Sequence, residues 1–140
     1  MSYTLNEGTL SLRPTDDRSI NILNLARHDE PPQTLVITRD ALGPGEVLAA
    51  AVTRQIKELS RQVQAFKEHA RRDATFGTSA LPVVLLETSF KQAGQPTHQC
   101  QAIAQLAGDR LLILTLSTPT PVTDGLRAQW LALLDSFQPA

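Results

Sequence analysis

The side chains able to carry covalent chemistry are few: three histidines and one cysteine. His98 and Cys100 are two residues apart, which on a strand places both on one face, as a thiol nucleophile and its base would need. Cysteine is nevertheless among the most often buried residues, and this favours a small apolar core residue. His28 and His69 have no second histidine at the spacing of a helical metal pair. We therefore predict a protein without catalytic activity, metal site or cofactor.

Length and charge narrow the class of protein further. The 140 residues, 41% of them hydrophobic, correspond to one domain over residues 1–140. The formal net charge is −1, and Arg71 and Arg72 form the one adjacent basic pair in the chain. A nucleic-acid-binding module would need a basic patch or stripe, so the sequence argues against that class.

Signals for membrane insertion and export are also weak. Apolar windows such as residues 111–116 are much shorter than the roughly 18–20 residues of a membrane-spanning helix. Residues 1–7 lack the basic and apolar regions of a secretory signal, which favours a cytoplasmic protein. The single Cys100 allows no internal disulfide, in agreement with a reducing compartment.

Hydrophobic periodicity of two residues predicts several short strands. These are an opening hairpin over residues 3–12 and strands at 19–25, 34–38, 74–78, 83–90, 98–106 and 111–116. Gly94 and Gly108 lie at hairpin-length breaks, so the strands beside them should be antiparallel neighbours.

Two longer runs follow a helical period. The first apolar stripe runs from Leu48 to Phe66, and the second runs from Leu126 to Phe137. Thr120-Pro121 should start the second helix. The order of elements predicts an α+β fold: a mostly antiparallel, twisted sheet of about six or seven strands with two main helices.

Two of the predicted strands are apolar on both faces. In residues 83–86 and 111–116, neither the odd-numbered nor the even-numbered residues form a polar face. A half-solvated antiparallel strand should instead alternate cleanly between apolar and polar residues. Helices of about 24 and 15 residues would cover one face of such a sheet but not both. The helices could divide between the faces, a homodimer could bury the remainder, or the second face could be a groove for a client.

Gln99, Gln101 and Gln105 alternate with small apolar residues and could hydrogen-bond polar groups of an apolar partner.

Several short motifs, taken in order, resemble a known family. They are Tyr3-x-Leu5-Asn6-Glu7-Gly8, Asp17-Arg18-Ser19-Ile20-Asn21-Ile22, Leu35-Val36-Ile37-Thr38-Arg39-Asp40, Gln99-x-Gln101, Leu112-x-Leu114-Thr115 and the segment from Trp130 to Phe137. At these spacings the chain resembles the Eag chaperones of type VI secretion, which belong to the DcrB-like domains of the Mog1/PsbP-like fold. The resemblance covers nearly the whole chain.

The resemblance implies a cytoplasmic chaperone. Eag proteins bind the N-terminal transmembrane segments of effectors, often Rhs-type toxins with a PAAR region, which are loaded on the VgrG spike. The chaperone is typically a homodimer whose concave surface keeps the client helices away from water. It binds its client stoichiometrically, with no direct insertion into the membrane.

The resemblance also implies which residues face the client, through the positions of the shared motifs. Its predicted members are Ile20, Ile22, Thr34, Val36, Thr38, Gln55, Leu59, Val63 and Gln101. Aliphatic members would supply apolar burial, while the threonine and glutamine side chains would pair with polar groups of the client. Leu59 and Val63 also belong to the stripe that should contact the core, so we expect the long helix to border the groove and to share that flank.

A second interpretation belongs to a different class of protein. A DcrB- or Mog1-like module could bind a folded soluble partner, with the second apolar face serving as a fixed dimer interface. The two interpretations differ in the free protein, since a groove for transmembrane helices leaves a large apolar patch open to solvent.

Overall fold

The computed structural model describes residues 1–139, which form eight strands and two helices. The strands are β1 (Tyr3–Leu5), β2 (Gly8–Leu10), β3 (Asn21–Asn24), β4 (Thr34–Ala41), β5 (Gln64–Thr75), β6 (Pro82–Gln92), β7 (Gln95–Gln105) and β8 (Arg110–Thr118). The helices are α1 (Leu48–Gln62), between β4 and β5, and α2 (Asp124–Asp135), after β8. The predicted α+β class is confirmed.

The sheet topology is antiparallel throughout the described residues. β1 and β2 form a separate hairpin, and the other six strands form one sheet in the order β3-β4-β8-β7-β6-β5. β6, β7 and β8 are consecutive hairpin neighbours that turn at Gly94 and Gly108, as the sequence predicts. β3 and β5 are therefore the two edges of the main sheet.

Helix α1 covers part of one side of the sheet, which we call the α1 face. Val84, Ile103 and Ile113 are cross-strand neighbours on β6, β7 and β8, so their side chains point to the same side. Val52 of α1 is fully buried against this cluster. Leu48 and Ile56, four residues to either side of Val52, pack beside it, as expected for one stripe of an amphipathic helix.

Helix α2 covers the opposite side, the α2 face. Trp130 and Leu134 are buried against side chains that alternate with those of the α1 face, including Leu85. Ala102 and Ala104 lie beneath them on β7, where their small side chains leave room for the indole. The strands that are apolar on both faces are thus explained mainly by two helices on opposite sides of the sheet.

The first predicted helix is too long in the sequence interpretation. α1 ends at Gln62, Val63 is its extended C-terminal flank, and Phe66 already lies in β5. The helical spacing of Val63 and Phe66 is coincidental, because β5 pairs with β6 along most of its length and this ladder outweighs local periodicity. Ala65, with φ of 54°, lies where the chain enters the strand.

Other predicted boundaries shift by a few residues. β5 ends at Thr75 and is followed by a turn, so only the first two residues of the predicted strand at 74–78 are in a strand, and they form the end of the longer β5. α2 does not start at Thr120-Pro121. Its N-cap is Thr123, whose Oγ1 accepts a hydrogen bond from the Leu126 N–H, as a side-chain cap should.

Arg127 fixes α2 to strand β6 by a bidentate ion pair. Its Nε and Nη2 donate to Glu87 at 2.6 and 2.9 Å, and Nη1 donates to Asp124 at 2.7 Å. The hydrogen bonds from Arg127 hold the pKa of Glu87 below its ordinary value of 4.5. The ion pair therefore stabilises the folded state fully at pH values above 4.5. This stabilisation is lost as the pH falls through the lowered pKa of Glu87 in the folded state.

We expect Glu87→Gln to lower the free energy of unfolding by about 1 kcal/mol at pH 7, because one partner of a bidentate, partly exposed pair loses its charge. The difference from the wild type should stay constant down to about pH 5 and shrink below it. Urea titrations at pH 7, 5 and 3.5 measure this. A difference that persists at pH 3.5 would contradict the assignment to this ion pair.

Candidate functional site

The part of the α1 face that α1 does not cover is the candidate site, and we call it the open floor. It lies on β3, β4, β8 and β7, beside the helix. Its side chains form two rows across the sheet, in the cross-strand order of the register. The first row is Asn24, Thr34, Ser117 and Gln99, and the second is Ile22, Val36, Thr115 and Gln101.

The second row has an apolar half and a polar half. Ile22 is 70% exposed and lies beside the half-buried Val36. On the other side of Val36, Thr115 Oγ1 accepts a hydrogen bond from Gln101 Nε2 at 3.3 Å. The amide is thus held across two strands, and the row offers both apolar area and hydrogen-bonding groups to a partner.

The first row is polar along its whole length and continues under the covered part of the sheet. Gln99 Nε2 donates to Ser117 Oγ at 3.1 Å, which repeats the pairing of the second row. Thr88, the cross-strand neighbour of Gln99 on β6, extends the row. Gln99 Oε1 and Thr88 Oγ1 are buried and have no hydrogen-bond partner within residues 1–139. One end of the open floor is therefore more polar than its middle.

Helix α1 forms a wall beside the floor. Gln55 Nε2 donates to Asp40 Oδ2 at 3.3 Å, so this side chain reaches across to β4, two residues beyond Thr38. Leu59, one turn further along α1, is half-buried. The helix also contacts the edge strand β5, since Arg71 donates to Thr53 Oγ1 at 3.0 Å.

The structure brings most of the predicted client-facing residues together. Those on one face of neighbouring strands are Ile22, Thr34, Val36, Thr38 and Gln101. Ile20, 63% exposed, precedes β3 by one residue, and Gln55 and Leu59 are on the helix that flanks the floor. Val63 is the exception. It lies between α1 and β5, the edge strand opposite β3, and not on the helix.

Sequence reasoning missed two members of the surface, Thr115 and Ser117, and it named Gln99 as a hydrogen-bonding residue without including it among the client-facing residues. The signal was present in the hairpin around Gly108, since Gln99 pairs with Ser117 and Gln101 with Thr115 symmetrically about that glycine. The prediction that residues 111–116 are apolar on both faces is wrong at Thr115, where the α1 face becomes polar.

The dimensions of the open floor suit a helix. The two rows lie two residues apart along β4, roughly 7 Å at about 3.3 Å per residue. β3 and β7 lie three strand spacings apart, roughly 14 Å. An α-helix with side chains is about 10 Å across, and the hydrocarbon core of a membrane is about 30 Å thick. A helix laid across the strands can therefore bury one face over about half of a membrane-spanning length.

Cys100 lies on the other side of the sheet. It is buried on the α2 face, and burial raises the pKa of its thiol to about 11. The thiol therefore stays protonated at neutral pH, unlike an activated nucleophile, whose pKa is lowered. Within residues 1–139 no three His, Cys, Asp or Glu side chains converge as metal ligands would, and neither helix is long and apolar enough to cross a membrane.

A family comparison identifies the domain. The model of the DcrB family matches residues 7–136, from before β2 to the end of α2. The chain belongs to the DcrB family. The predicted DcrB-like domain is thereby confirmed, and the open floor is a surface of a DcrB domain.

A solved structure has the same fold over the whole chain. The crystal structure of PA94 from Pseudomonas aeruginosa, a protein of unknown function with a suggested role as a regulator, superposes with a TM-score of 0.78. The match has 26% sequence identity and covers 100% of this chain and 96% of PA94. No curated protein matches this DcrB-family chain in sequence.

Proposed function

We propose that this DcrB-family protein is an Eag-type chaperone. It binds and shields the N-terminal transmembrane helices of a type VI secretion effector of the PAAR or Rhs type and helps to load it on the VgrG spike. It acts in the cytoplasm by stoichiometric binding, without catalysis. The observation that carries the proposal is the open floor, an uncovered strip of sheet with apolar side chains on β3 and β4 and hydrogen-bonding amides on β7.

Apolar burial supplies the attraction. Ile22 is 70% exposed in the free chain and Val36 is half-buried, so a client helix laid across β3 and β4 removes both from water. Full coverage of such a side chain is worth about 1.5–3 kcal/mol, from which the ordering costs of binding must be subtracted. A transmembrane helix gains on its own side as well, because it leaves water with an apolar surface.

The glutamine pairs supply specificity for membrane helices. Transmembrane helices associate through small residues and side-chain hydrogen bonds, because burial alone cannot drive their contact in lipid. Gln101 and Gln99 are held by Thr115 and Ser117, so their amides are presented in a fixed direction. A client Ser, Thr or exposed backbone carbonyl over this part of the floor finds a donor already in place.

We expect Gln101→Leu to weaken client binding by about 3- to 10-fold, because one hydrogen bond contributes roughly 0.5–1.5 kcal/mol. The fold should be unaffected, since the residue is half-exposed and Thr115 Oγ1 can accept from water instead. Titration of a labelled client helix measures the change, with Gln105→Leu as the matched control. Gln105 is on the same strand and face but donates to a loop carbonyl, Gly108 O, at 3.4 Å.

The function is tested by co-expression with an effector fragment. A type VI effector fragment that carries its N-terminal apolar helices is produced with and without this chain, and the soluble fraction is purified through a tag on the chaperone. Recovery of soluble fragment only with the chaperone present, together with the mass of the complex, supports helix shielding. A fragment that stays insoluble with the chaperone, or is soluble without it, contradicts the proposal.

The alternative of a folded soluble partner has a different outcome in the same experiment. The chain would then fail to solubilise apolar helices, and the apolar part of the α1 face would be closed by a second copy in the free protein. An environment-sensitive dye separates the two cases, because it binds a floor that is open in the free protein and not one that is closed.

A further inference from the structure

A large cavity lies at one end of the α2 face, and we call it the end cavity. Its volume is about 900 Å³, near the upper limit of the range of small-molecule pockets, about 300–1,000 Å³. It is found where β4 and β7 end and β8 begins, between a wall of residues 16–18 and a wall of residues 137–139, which follow α2. No member of the two rows of the open floor lines it.

The bottom of the end cavity is apolar. Leu81, Leu112 and Phe137 line it and also pack against the core beneath α2. All three are half-buried, so each has one side against the core and another open to the cavity. Leu106, which follows β7, is half-buried in the same way. A ligand with an apolar body would remove these side chains from water, the usual source of attraction in a small-molecule pocket.

Two arginines stand beside this apolar surface. Arg39 of β4 lies directly opposite Leu112 of β8, and Arg110 lies opposite Ala41. Because cross-strand neighbours point to the same side of a sheet, both arginine side chains are on the α2 face with Leu112. The two arginines are diagonal neighbours, about 7–8 Å apart along the sheet and within reach of long side chains. One head group of a ligand can therefore contact both.

Both guanidinium groups have free hydrogen-bond donors. Arg39 uses Nη1 alone, which donates to the Ser19 carbonyl at 3.0 Å and to Asn21 Oδ1 at 2.6 Å. These two neutral acceptors fix the side chain and leave Nε and Nη2 without a partner within residues 1–139. The Arg110 side chain makes no hydrogen bond in that range. Neither arginine forms an ion pair with a carboxylate of residues 1–139.

Four aspartates also line the end cavity, and three of them already have partners. Asp16 pairs with Arg18 at 2.7 Å. The carboxylates of Asp17 and Asp40 accept hydrogen bonds from nearby main-chain N–H groups and side chains. Asp109, at the tip of the β7–β8 hairpin, has no side-chain hydrogen bond within residues 1–139. Most carboxylates are thus held by the protein while most guanidinium N–H groups are not, which favours a ligand that brings acceptors.

We propose that the end cavity binds a small amphiphilic carboxylate, a molecule with one carboxylate head and an apolar chain or ring. The head lies between Arg39 and Arg110, because a planar guanidinium donates two parallel hydrogen bonds to a carboxylate. The apolar part lies over Leu112 and extends toward Phe137. A neutral head would leave the two like charges uncompensated, and an ammonium head would add a third. The site is on the opposite side of the sheet from the open floor, so this inference goes beyond the proposed function and holds or fails without any client.

Octanoate is the probe for this site, with octan-1-ol and octylammonium as ligands of the same chain length. Each is titrated into protein with isotope-labelled methyl groups, and the methyl signals of Leu81 and Leu112 are followed by NMR beside those of Ile22 and Val36. We expect octanoate to shift the two leucine signals and to bind at least about 10-fold more tightly than the other two ligands. The proposal is overturned by equal affinity for octan-1-ol, by shifts confined to Ile22 and Val36, or by no shift up to about 10 mM octanoate.

Arg110→Gln tests the role of the head group. The fold should be unaffected, because the Arg110 side chain is exposed and has no partner within residues 1–139. We expect the octanoate dissociation constant to rise about 10- to 100-fold, since a charge-assisted contact is lost, and the affinity for octan-1-ol to stay the same.

The matched control is Arg18→Gln, which makes the same change of net charge in the wall of the same cavity. The Arg18 guanidinium already pairs with Asp16, so octanoate affinity should stay within about threefold of the wild type. Equal losses in the two variants would mean that net charge alone attracts the anion, and they would overturn the site. Melting temperatures of both variants show that the comparison is made between folded proteins.

Discussion

Val36→Glu should abolish the stabilisation of client helices while leaving the fold nearly intact. Val36 lies in the middle of the open floor, between Ile22 and Thr115. In the free protein a glutamate there stays hydrated, because the residue is only half-buried. Under an apolar helix the same carboxylate would be buried without a partner, which costs several kcal/mol. We expect client affinity to fall by at least about 100-fold, equivalent to about 2.7 kcal/mol.

The matched control for Val36→Glu is Leu133→Glu. Leu133 is a partly exposed aliphatic residue on α2, on the opposite side of the sheet, and the substitution makes the same change of net charge. Client capture should be unchanged in this variant, and Val36→Ile should retain capture because it keeps an apolar side chain of similar shape. Melting temperatures of all variants are compared first. If Val36→Glu unfolds the chain, the residue belongs to the core and the open floor is wrongly placed.

The strand pairing around the two hairpins could be predicted from the sequence. Gly94 and Gly108 both have positive φ and lie in short breaks between period-two runs, which is a local signal. Because a short turn fixes the register of its two strands, the pairing of Gln101 with Thr115 followed from the position of Gly108. The hydroxyl and amide pairs of the candidate site were therefore within reach of the sequence.

The end of α1 could not be predicted from periodicity. Val63 and Phe66 continue the helical spacing of Ile56 and Leu59, yet they lie beyond the helix. The information that ends the helix is in β6, more than fifteen residues further along the chain, which pairs with β5. Long-range strand pairing of this kind overrides a local pattern and leaves no trace in it.

The sequence also did not show which face of the sheet each helix covers. In β6, Val83 and Leu85 face α2 while Val84 and Leu86 face α1, but periodicity alone does not say which helix covers which set. Most of the apolar residues on both faces of these strands are buried in the hydrophobic core beneath α1 and α2. The open floor is instead centred on β3 and β4, where Ile22 and Val36 were assigned by motif resemblance and not by this pattern.

Gly77→Ala should destabilise the fold more than any other single-methyl addition at a glycine. Gly77 has φ of +62°, and a Cβ built there would lie 2.2 Å from the Phe137 carbonyl oxygen. The contact holds the C-terminal segment in place, since Phe137 stacks on Phe76 with ring centroids 4.0 Å apart. An added methyl group must displace backbone, so the segment after α2 has to leave its position.

The matched control separates strain from displacement. Gly108 has a similar φ of +75°, and a Cβ there meets nothing within 4 Å, so Gly108→Ala costs only the backbone strain of about 1 kcal/mol. Gly77→Ala should also remove the ring stacking and expose Phe76 to water. We expect its free energy of unfolding to fall by about 3 kcal/mol in total, which corresponds to a decrease of roughly 12 °C in melting temperature. Equal losses in the two variants would mean that the C-terminal segment is not anchored on Phe76. In that case α2 alone would close the α2 face.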